Sequence, residues 1–224
     1  MSIDKAAFLN KTAMFNGAGE TTLADVSKYV FEKQLRRGEA VLNEGSEAQA
    51  LYFVAEGVIK IFKTSAEGKE QILSLMRPGD FFNEVPLLDN GPAPANAEAL
   101  GPALLYGIQK SNLRIILRQY PVVTGNLLGM LARRIRYLIS LVEDLSFRTV
   151  PSRVAKILVE NAAIPAETGA HLTQRDMAAI AGTAREVVSR SLKYLEEQGL
   201  IEMRRHQIVI KDLAGLKQFV EPSY

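Results

Sequence analysis

At 224 residues, 47% of them hydrophobic, the chain is long enough for one large domain or two small ones and can bury a proper core. Having no cysteine, it forms no disulfide, presents no thiolate nucleophile and ligates neither zinc nor an iron–sulfur cluster through sulfur. The formal net charge of +2 divides into zero for residues 1–146 and +2 for residues 147–224, so a nucleic-acid reading must rest on where particular side chains fall, not on a basic total.

The first residues, MSIDKAAFLNK, lack the basic start, apolar centre and cleavage site of a secretory signal. No run approaches the roughly 18 apolar residues of a membrane span, so the expectation is a soluble cytoplasmic protein with no membrane partner. A helical lead-in is expected over 4–30, with Phe8, Leu9, Phe15, Leu23, Val26 and Val30 in the core. Beyond it the period shifts towards two. Short apolar or alternating runs such as LYFV, VIKIF and QILSLM are punctuated by Gly38, Gly45, Gly57, Gly68 and Gly79, as in an antiparallel sandwich or barrel with turns every roughly 8–12 residues.

The stretch FFNEVPLLDNGPAPANAEAL, residues 81–100, carries three acids, no base and three prolines between such runs. Pro121 then opens a helical pattern in which Leu128, Leu131, Ile135, Leu138, Val142 and Leu145 recur at alternating spacings of three and four. So narrow a seam suits a two-stranded coiled coil and therefore a homodimer, although a helix lying on the barrel would use some of the same positions. The seam ends near Phe147, where Thr149 is placed to cap a new helix with Pro151 in its first turn. These signals divide the chain into a sensor domain at 1–120, a dimerisation helix at 121–147 and a further domain at 148–224.

LTQRDMAAIAGTAREVVSRSLKYLEEQGLI, residues 172–201, reads as two helices joined by a tight turn. Thr173 with Asp176 and Thr183 with Glu186 both have capping-box spacing, Gly182 supplies the turn, and Gly199 is placed to end the second helix. On that second helix Val188, Leu192 and Leu195 share one face, leaving Arg185, Glu186, Ser189, Arg190 and Lys193 pointing away. Taken singly, such arginines are usually ordinary solvated charges and Glu186 is a capping residue. Together with LIEMRRHQIVI, two short strands joined by a basic turn at Arg204 and Arg205, they form a winged helix-turn-helix whose second helix enters the major groove of double-stranded DNA.

RGEAVLNEGSEAQALYFVAEGVIKIF, then GDFFNEVPLLDNG, then the seam helix, then TQRDMAAIAGTAREVVSRSLKYLEEQGLI together resemble the cAMP receptor protein/FNR (Crp/Fnr) family of bacterial transcription regulators across essentially the whole chain. The resemblance implies an α+β homodimer: an N-terminal cyclic-nucleotide-binding-like β-roll (a double-stranded β-helix or jelly roll), a long dimerisation helix and a C-terminal winged helix-turn-helix. The family's RExxxR pattern is matched by Arg185, Glu186 and Arg190, and Ser189 matches the serine of the FNR branch. Arginine can take guanine O6 and N7 in a bidentate pair and glutamate can accept from cytosine, each good pair giving about 1–3 kcal/mol of discrimination. The expected operator is an inverted repeat with TGA-type half-sites about one helical turn apart, with Thr173, Lys193, Arg204 and Arg205 on phosphates.

In the cAMP-binding members, the segment matching 81–100 runs from Gly-Glu through a short helix to an Arg-Ser pair that grips the cyclic phosphate. Here the matching residues are Asn83-Glu84 and Pro94-Ala95, and neither proline nor alanine brings a cation or side-chain donor. The Thr-Ser pair that meets the adenine corresponds to Leu138-Ile139. Three contents of the pocket follow: an effector less charged than cAMP, held among Phe82, Leu87, Leu88, Leu138 and Ile139; the protein's own side chains; or haem. Haem and cAMP are disfavoured, haem because no cysteine exists and both histidines, His171 and His206, lie in the DNA-binding part. An anion could still be met by backbone N–H groups near Asn83 and Glu84, of which Pro86 removes one.

No other cofactor and no metal site is expected. An enzyme is disfavoured, since neither GxSxG nor GxxxxGK[ST] occurs. The competing function is a cyclic-nucleotide-type sensory module that regulates a protein partner through its C-terminal helices. Activation of transcription would need a surface for RNA polymerase, which no residue pattern identifies.

Overall fold

The computed structural model describes residues 4–161, 172–204 and 207–220. They divide into two compact units, one formed by residues 4–63 and 74–137, the other by residues 64–73 and the described residues from 138 onwards.

The lead-in is not one helical stretch. Helix α1 (Lys5–Lys11), a 3-10 turn at Ala13–Phe15 and helix α2 (Glu20–Ser27) follow one another, and Val30 already begins strand β1 (Val30–Leu35). Asp4 caps α1 by accepting from the Ala6 N–H. The breaks fall at Thr12, whose hydroxyl turns back onto the Leu9 carbonyl, and at the turn around Gly17 and Gly19. All six expected core residues of this segment are nonetheless buried.

Strands β2 (Ala40–Leu42), β3 (Ala50–Glu56), β4 (Ile59–Thr64), β5 (Glu70–Met76), β6 (Phe81–Phe82), β7 (Asn96–Ala99) and β8 (Ala103–Gln109) complete two four-stranded sheets, ordered β1-β8-β3-β6 and β2-β7-β4-β5. The recorded pairings are antiparallel. Strand β3 shows why LYFV is continuously apolar: Ala50, Tyr52 and Val54 join the core between the sheets, whereas Leu51 and Phe53 point the other way into a second core with α1, α2 and the helices after β8. A strand buried on both faces cannot show polar alternation. The glycines between runs all have positive φ. Gly57 also meets a packing demand, because a Cβ there would lie 2.4 Å from the Pro102 carbonyl oxygen.

Helix α3 (Val85–Asp89) follows β6, with Pro86 in its first turn and Asn90 left-handed at its end. Helix α4 (Lys110–Gln119) leads to the 27-residue α5 (Pro121–Phe147). Val123 and Leu127 of α5 are buried in the outer core and Leu131 packs partly against it. Leu128, Ile135, Leu138, Ile139, Val142 and Leu145 stay exposed, Val142 by 64%. The expected seam therefore serves two surfaces: Leu131 belongs to the β-sheet unit, and the remaining positions form an open apolar stripe.

The C-terminal part consists of α6 (Val150–Asn161), α7 (Gln174–Ala181), α8 (Arg185–Glu197), β9 (Ile201–Arg204), β10 (Gln207–Ile210) and α9 (Leu213–Val220). Its core joins Val154, Ile157, Met177, Val188, Leu192, Leu195, Ile201 and Leu216. Thr149 caps α6 weakly, accepting from the Ser152 N–H at 3.4 Å.

Candidate nucleic-acid interface and effector pocket

Helix α7 starts on the expected capping box: the Thr173 hydroxyl accepts from the Asp176 N–H at 3.2 Å, and the Asp176 carboxylate accepts from the Thr173 N–H at 2.9 Å. Gly182 ends it at φ 64°, where a Cβ would also lie 2.8 Å from Leu145 Cδ2. The second expected box does not form. The N–H groups of Gly182 and Thr183 both close onto the Ala178 carbonyl, which spends Thr183 on ending α7. Ala184 becomes the N-cap of α8 and no side chain caps its first turn.

On α8, Val188, Leu192 and Leu195 are fully buried, and Ser191 turns its hydroxyl inward onto the Val187 carbonyl at 2.8 Å. Arg185, Glu186, Ser189, Arg190 and Lys193 are exposed. Arg185 and Glu186 stand in the first turn, and Ser189 and Arg190 follow one turn further along. Two guanidinium groups, a carboxylate and a hydroxyl thus share the outer face of the helix's N-terminal half, donors and acceptors together, which is what reading base edges requires.

Beyond α8, β9 and β10 pair antiparallel with Gln207 opposite Arg204, giving the wing. Arg204 is tied to Glu202 by Nε at 3.0 Å and Nη2 at 3.3 Å, and Lys211 reaches the same carboxylate. These cations hold Glu202 below the usual carboxylate range. Arg205, His206 and His171 lie outside the described residues. Thr173 is exposed, but its hydroxyl already works in the capping box.

The expected effector residues differ in their surroundings. Phe82 is buried between the sheets and stacked on Tyr52 at 5.5 Å, while Leu87 belongs to the outer core. They face different cores. Leu88 and Pro94 are exposed, Ala95 is buried, and Leu138 and Ile139 lie exposed on α5. Asn83, at φ 73° and 8% exposed, donates from Nδ2 to the Ala50 carbonyl at 2.7 Å, but its Oδ1 is buried with no partner among the described residues. Beside it Glu84 is half-buried. Burial pushes its carboxyl above the ordinary 4.5, against smaller opposing effects of its backbone amide and the Arg134 charge.

Sequence reasoning missed Arg134, whose Nη1 donates to Ser74 Oγ at 2.9 Å beside Met76. The signal available was a run of three arginines, Arg133, Arg134 and Arg136, around the seam residue Ile135. It also missed a cluster at the end of α5. Asp144, 7% exposed, accepts from Arg148 Nε at 2.5 Å and pairs with Lys156. Arg153 donates to the carbonyls of Arg148 at 2.7 Å and Ala181 at 2.8 Å. Among the described residues no group of three or more His, Asp or Glu is arranged to hold a metal ion, and no helix is long and apolar enough to cross a membrane.

An eight-stranded sandwich, a long helix and a helix-turn-helix with a polar reading face define a DNA-binding transcription regulator. Residues 32–120 match the cyclic nucleotide-binding domain family and residues 152–219 the Crp-like helix-turn-helix domain family. The cyclic AMP receptor protein of Thermus thermophilus is 32% identical over 195 residues, covering 87% of this chain and 90% of that one. A CRP-like cAMP-activated global transcriptional regulator of Mycobacterium tuberculosis is 30% identical over 211 residues, covering 91% and 94%. Among solved structures, FixK2 from Bradyrhizobium japonicum superposes with a TM-score of 0.77 at 26% identity, covering 87% of this chain and 99% of that one. The catabolite activator protein of Thermus thermophilus gives 0.55 at 30% identity, covering 93% and 98%. The chain belongs to the Crp/Fnr family of transcription regulators.

Proposed function

We propose that this regulator is a cytoplasmic homodimer that binds an inverted repeat with TGA-type half-sites through Arg185, Glu186, Ser189 and Arg190, and that its effector is not cAMP. The observation that carries the DNA half of this reading is the outer face of α8, where all four side chains are exposed above a fully buried Val188, Leu192 and Leu195. An arginine pair flanking a carboxylate and a hydroxyl matches guanine acceptors next to a cytosine donor. Lys193 and Arg204 would contact phosphates and set register, for which Arg204 must loosen its hold on Glu202. The open stripe on α5 supports the dimer, since a two-fold axis would bury it and place two recognition helices on successive turns of the groove.

The two sequence relatives named above are a cyclic AMP receptor protein and a cAMP-activated regulator. By the family resemblance Pro94 and Ala95 stand where a cyclic phosphate would need a cation and donors; elsewhere in the same unit are the carboxyl of Glu84, the buried amide of Asn83, and an Arg134 that donates to Ser74 and whose charge acts on Glu84. A carboxyl and a buried carbonyl oxygen favour an uncharged ligand that donates hydrogen bonds over a cyclic phosphate. Haem is set aside because the sequence offers no thiolate. No catalytic step is assigned to any residue.

The test is fluorescence anisotropy of the purified protein on a duplex carrying a TGA inverted repeat, at fixed salt, with and without cAMP. Specific binding indifferent to cAMP is expected, and Arg185→Ala and Arg190→Ala should each lose about 1–3 kcal/mol of discrimination against altered half-sites. A sharp tightening by cAMP would overturn the effector reading. Unchanged sequence preference in both variants would overturn the assignment of α8.

A further inference from the structure

A cavity of about 410 Å³ opens where β8 passes into α4, lined by Phe31, Gln49, Ala50, Tyr52, Gln109, Lys110, Ser111 and Arg114. Neither Glu84 nor Arg134 is among its lining residues, and its volume lies in the range of small-molecule sites. Its aromatic wall is built by one row of the sheet. Phe31 on β1 and Tyr52 on β3 both stand opposite Gly107 on β8. A Cβ at position 107 would fall 2.1 Å from Phe31 Cζ, so the missing side chain lets the Phe31 ring lie down over β8 and meet Tyr52 edge-on at 6.1 Å.

The polar side of the cavity is cationic. No Asp or Glu is among the lining residues, and the first turn of α4 carries no acid. Lys110 and Arg114 have no carboxylate partner among the described residues; Arg114 donates only to the neutral Asn90 amide oxygen. Lys33 adds a third positive charge, 5.9 Å from the Tyr52 ring centroid. Tyr52 itself is only 8% exposed, yet its hydroxyl has no hydrogen-bond partner among the described residues. Burial pushes this phenol up, so it remains a donor at neutral pH.

We propose that this cavity binds a small aromatic anion, a planar ring bearing one carboxylate or phosphate group. The ring lies against Phe31 and Tyr52, and the anionic group is met by Lys110 and Arg114. Cations without carboxylates select the sign of the ligand and the aromatic wall selects its shape.

Calorimetric titration of the full chain with benzoate, phenyl phosphate, benzamidine and inorganic phosphate tests this. At least one aromatic anion should bind with one site per chain, and the better of the two identifies the anionic group. Benzamidine, the same ring with the opposite charge, and inorganic phosphate, the anion without a ring, should bind at least about tenfold more weakly. Lys110→Ala with Arg114→Ala should weaken the aromatic anion about tenfold or more. Lys110→Glu should reverse the ranking of benzoate and benzamidine. The proposal is overturned if neither aromatic anion binds at millimolar concentration, if benzamidine binds as well to the native chain, or if the double alanine variant keeps its affinity.

Discussion

At the scale of single residues, Glu84 is the group whose surroundings make the sharpest demand. Its side chain is half-buried, and burial raises its carboxyl above the ordinary 4.5. The folded chain therefore holds this proton to higher pH than the unfolded chain does. Between the ordinary and the raised value the folded state binds more protons, so stability falls as pH rises. The contribution is fully present below about 4.5 and is lost as pH climbs through the folded value. Glu84→Gln removes the titration, and denaturant unfolding across that window should show a shallower decline with rising pH than the native protein. Identical declines would mean that Glu84 is not held in its neutral form. Residue-scale chemistry was legible where it depended on helix faces: the exposed set on α8 was readable from the spacing of Val188, Leu192 and Leu195. It was illegible where a single hydrogen bond decided the outcome. Thr183 has the spacing of a cap, but only the closing of α7 onto Ala178 shows that its N–H is already spent and that Ala184 starts the next helix. Arg134 was missed because nothing in a heptad pattern says that a flanking arginine will find Ser74 on a strand.

At the scale of elements, periodicity and turn glycines located most strands and helices, and failed where one element serves two masters. Helix α5 reads as one seam, yet Val123, Leu127 and Leu131 answer to the β-sheet unit while Leu128, Ile135 and Val142 stay exposed. The junction between α5 and α6 was read as a boundary, and its chemistry could not be: Asp144, Arg148, Arg153 and Lys156 come together only because the chain turns there. Asp144 takes two cations, and Arg153 ties the carbonyl of Arg148 to that of Ala181 at the end of α7. The end of the long helix is thereby bound to the turn that sets the angle of α8. Removing one charge from a largely buried group of this kind leaves its partners uncompensated. Asp144→Asn should lower stability by about 2 kcal/mol or more in urea unfolding. It should also weaken DNA binding while leaving the order of preference among half-sites intact, because Arg185 and Arg190 are untouched. A variant of native stability would show that Arg148 and Lys156 lose nothing without the carboxylate.

At the scale of the whole molecule, the apolar stripe on α5 and the reading face on α8 belong to one argument. Neither is explained by the single chain: the stripe leaves large apolar side chains in water, and one recognition helix reads too few base pairs for selective binding in a genome. The proposed two-fold dimer would answer both, since joining two half-site contacts raises apparent affinity by a factor on the order of 10² or more without any new contact to DNA. Val142 separates the two effects, because at 64% exposure it contributes little to the fold of its own protomer. Val142→Asp should therefore unfold at nearly the native denaturant concentration yet sediment as a monomer. Its affinity for the inverted repeat should fall by on the order of 10²-fold, approaching that for a single half-site. The salt dependence of the remaining binding should drop to about half, because one protomer neutralises half as many phosphates. A variant that stays dimeric, or a monomer that binds the full repeat with native affinity and native salt slope, would break the link between the stripe and DNA recognition.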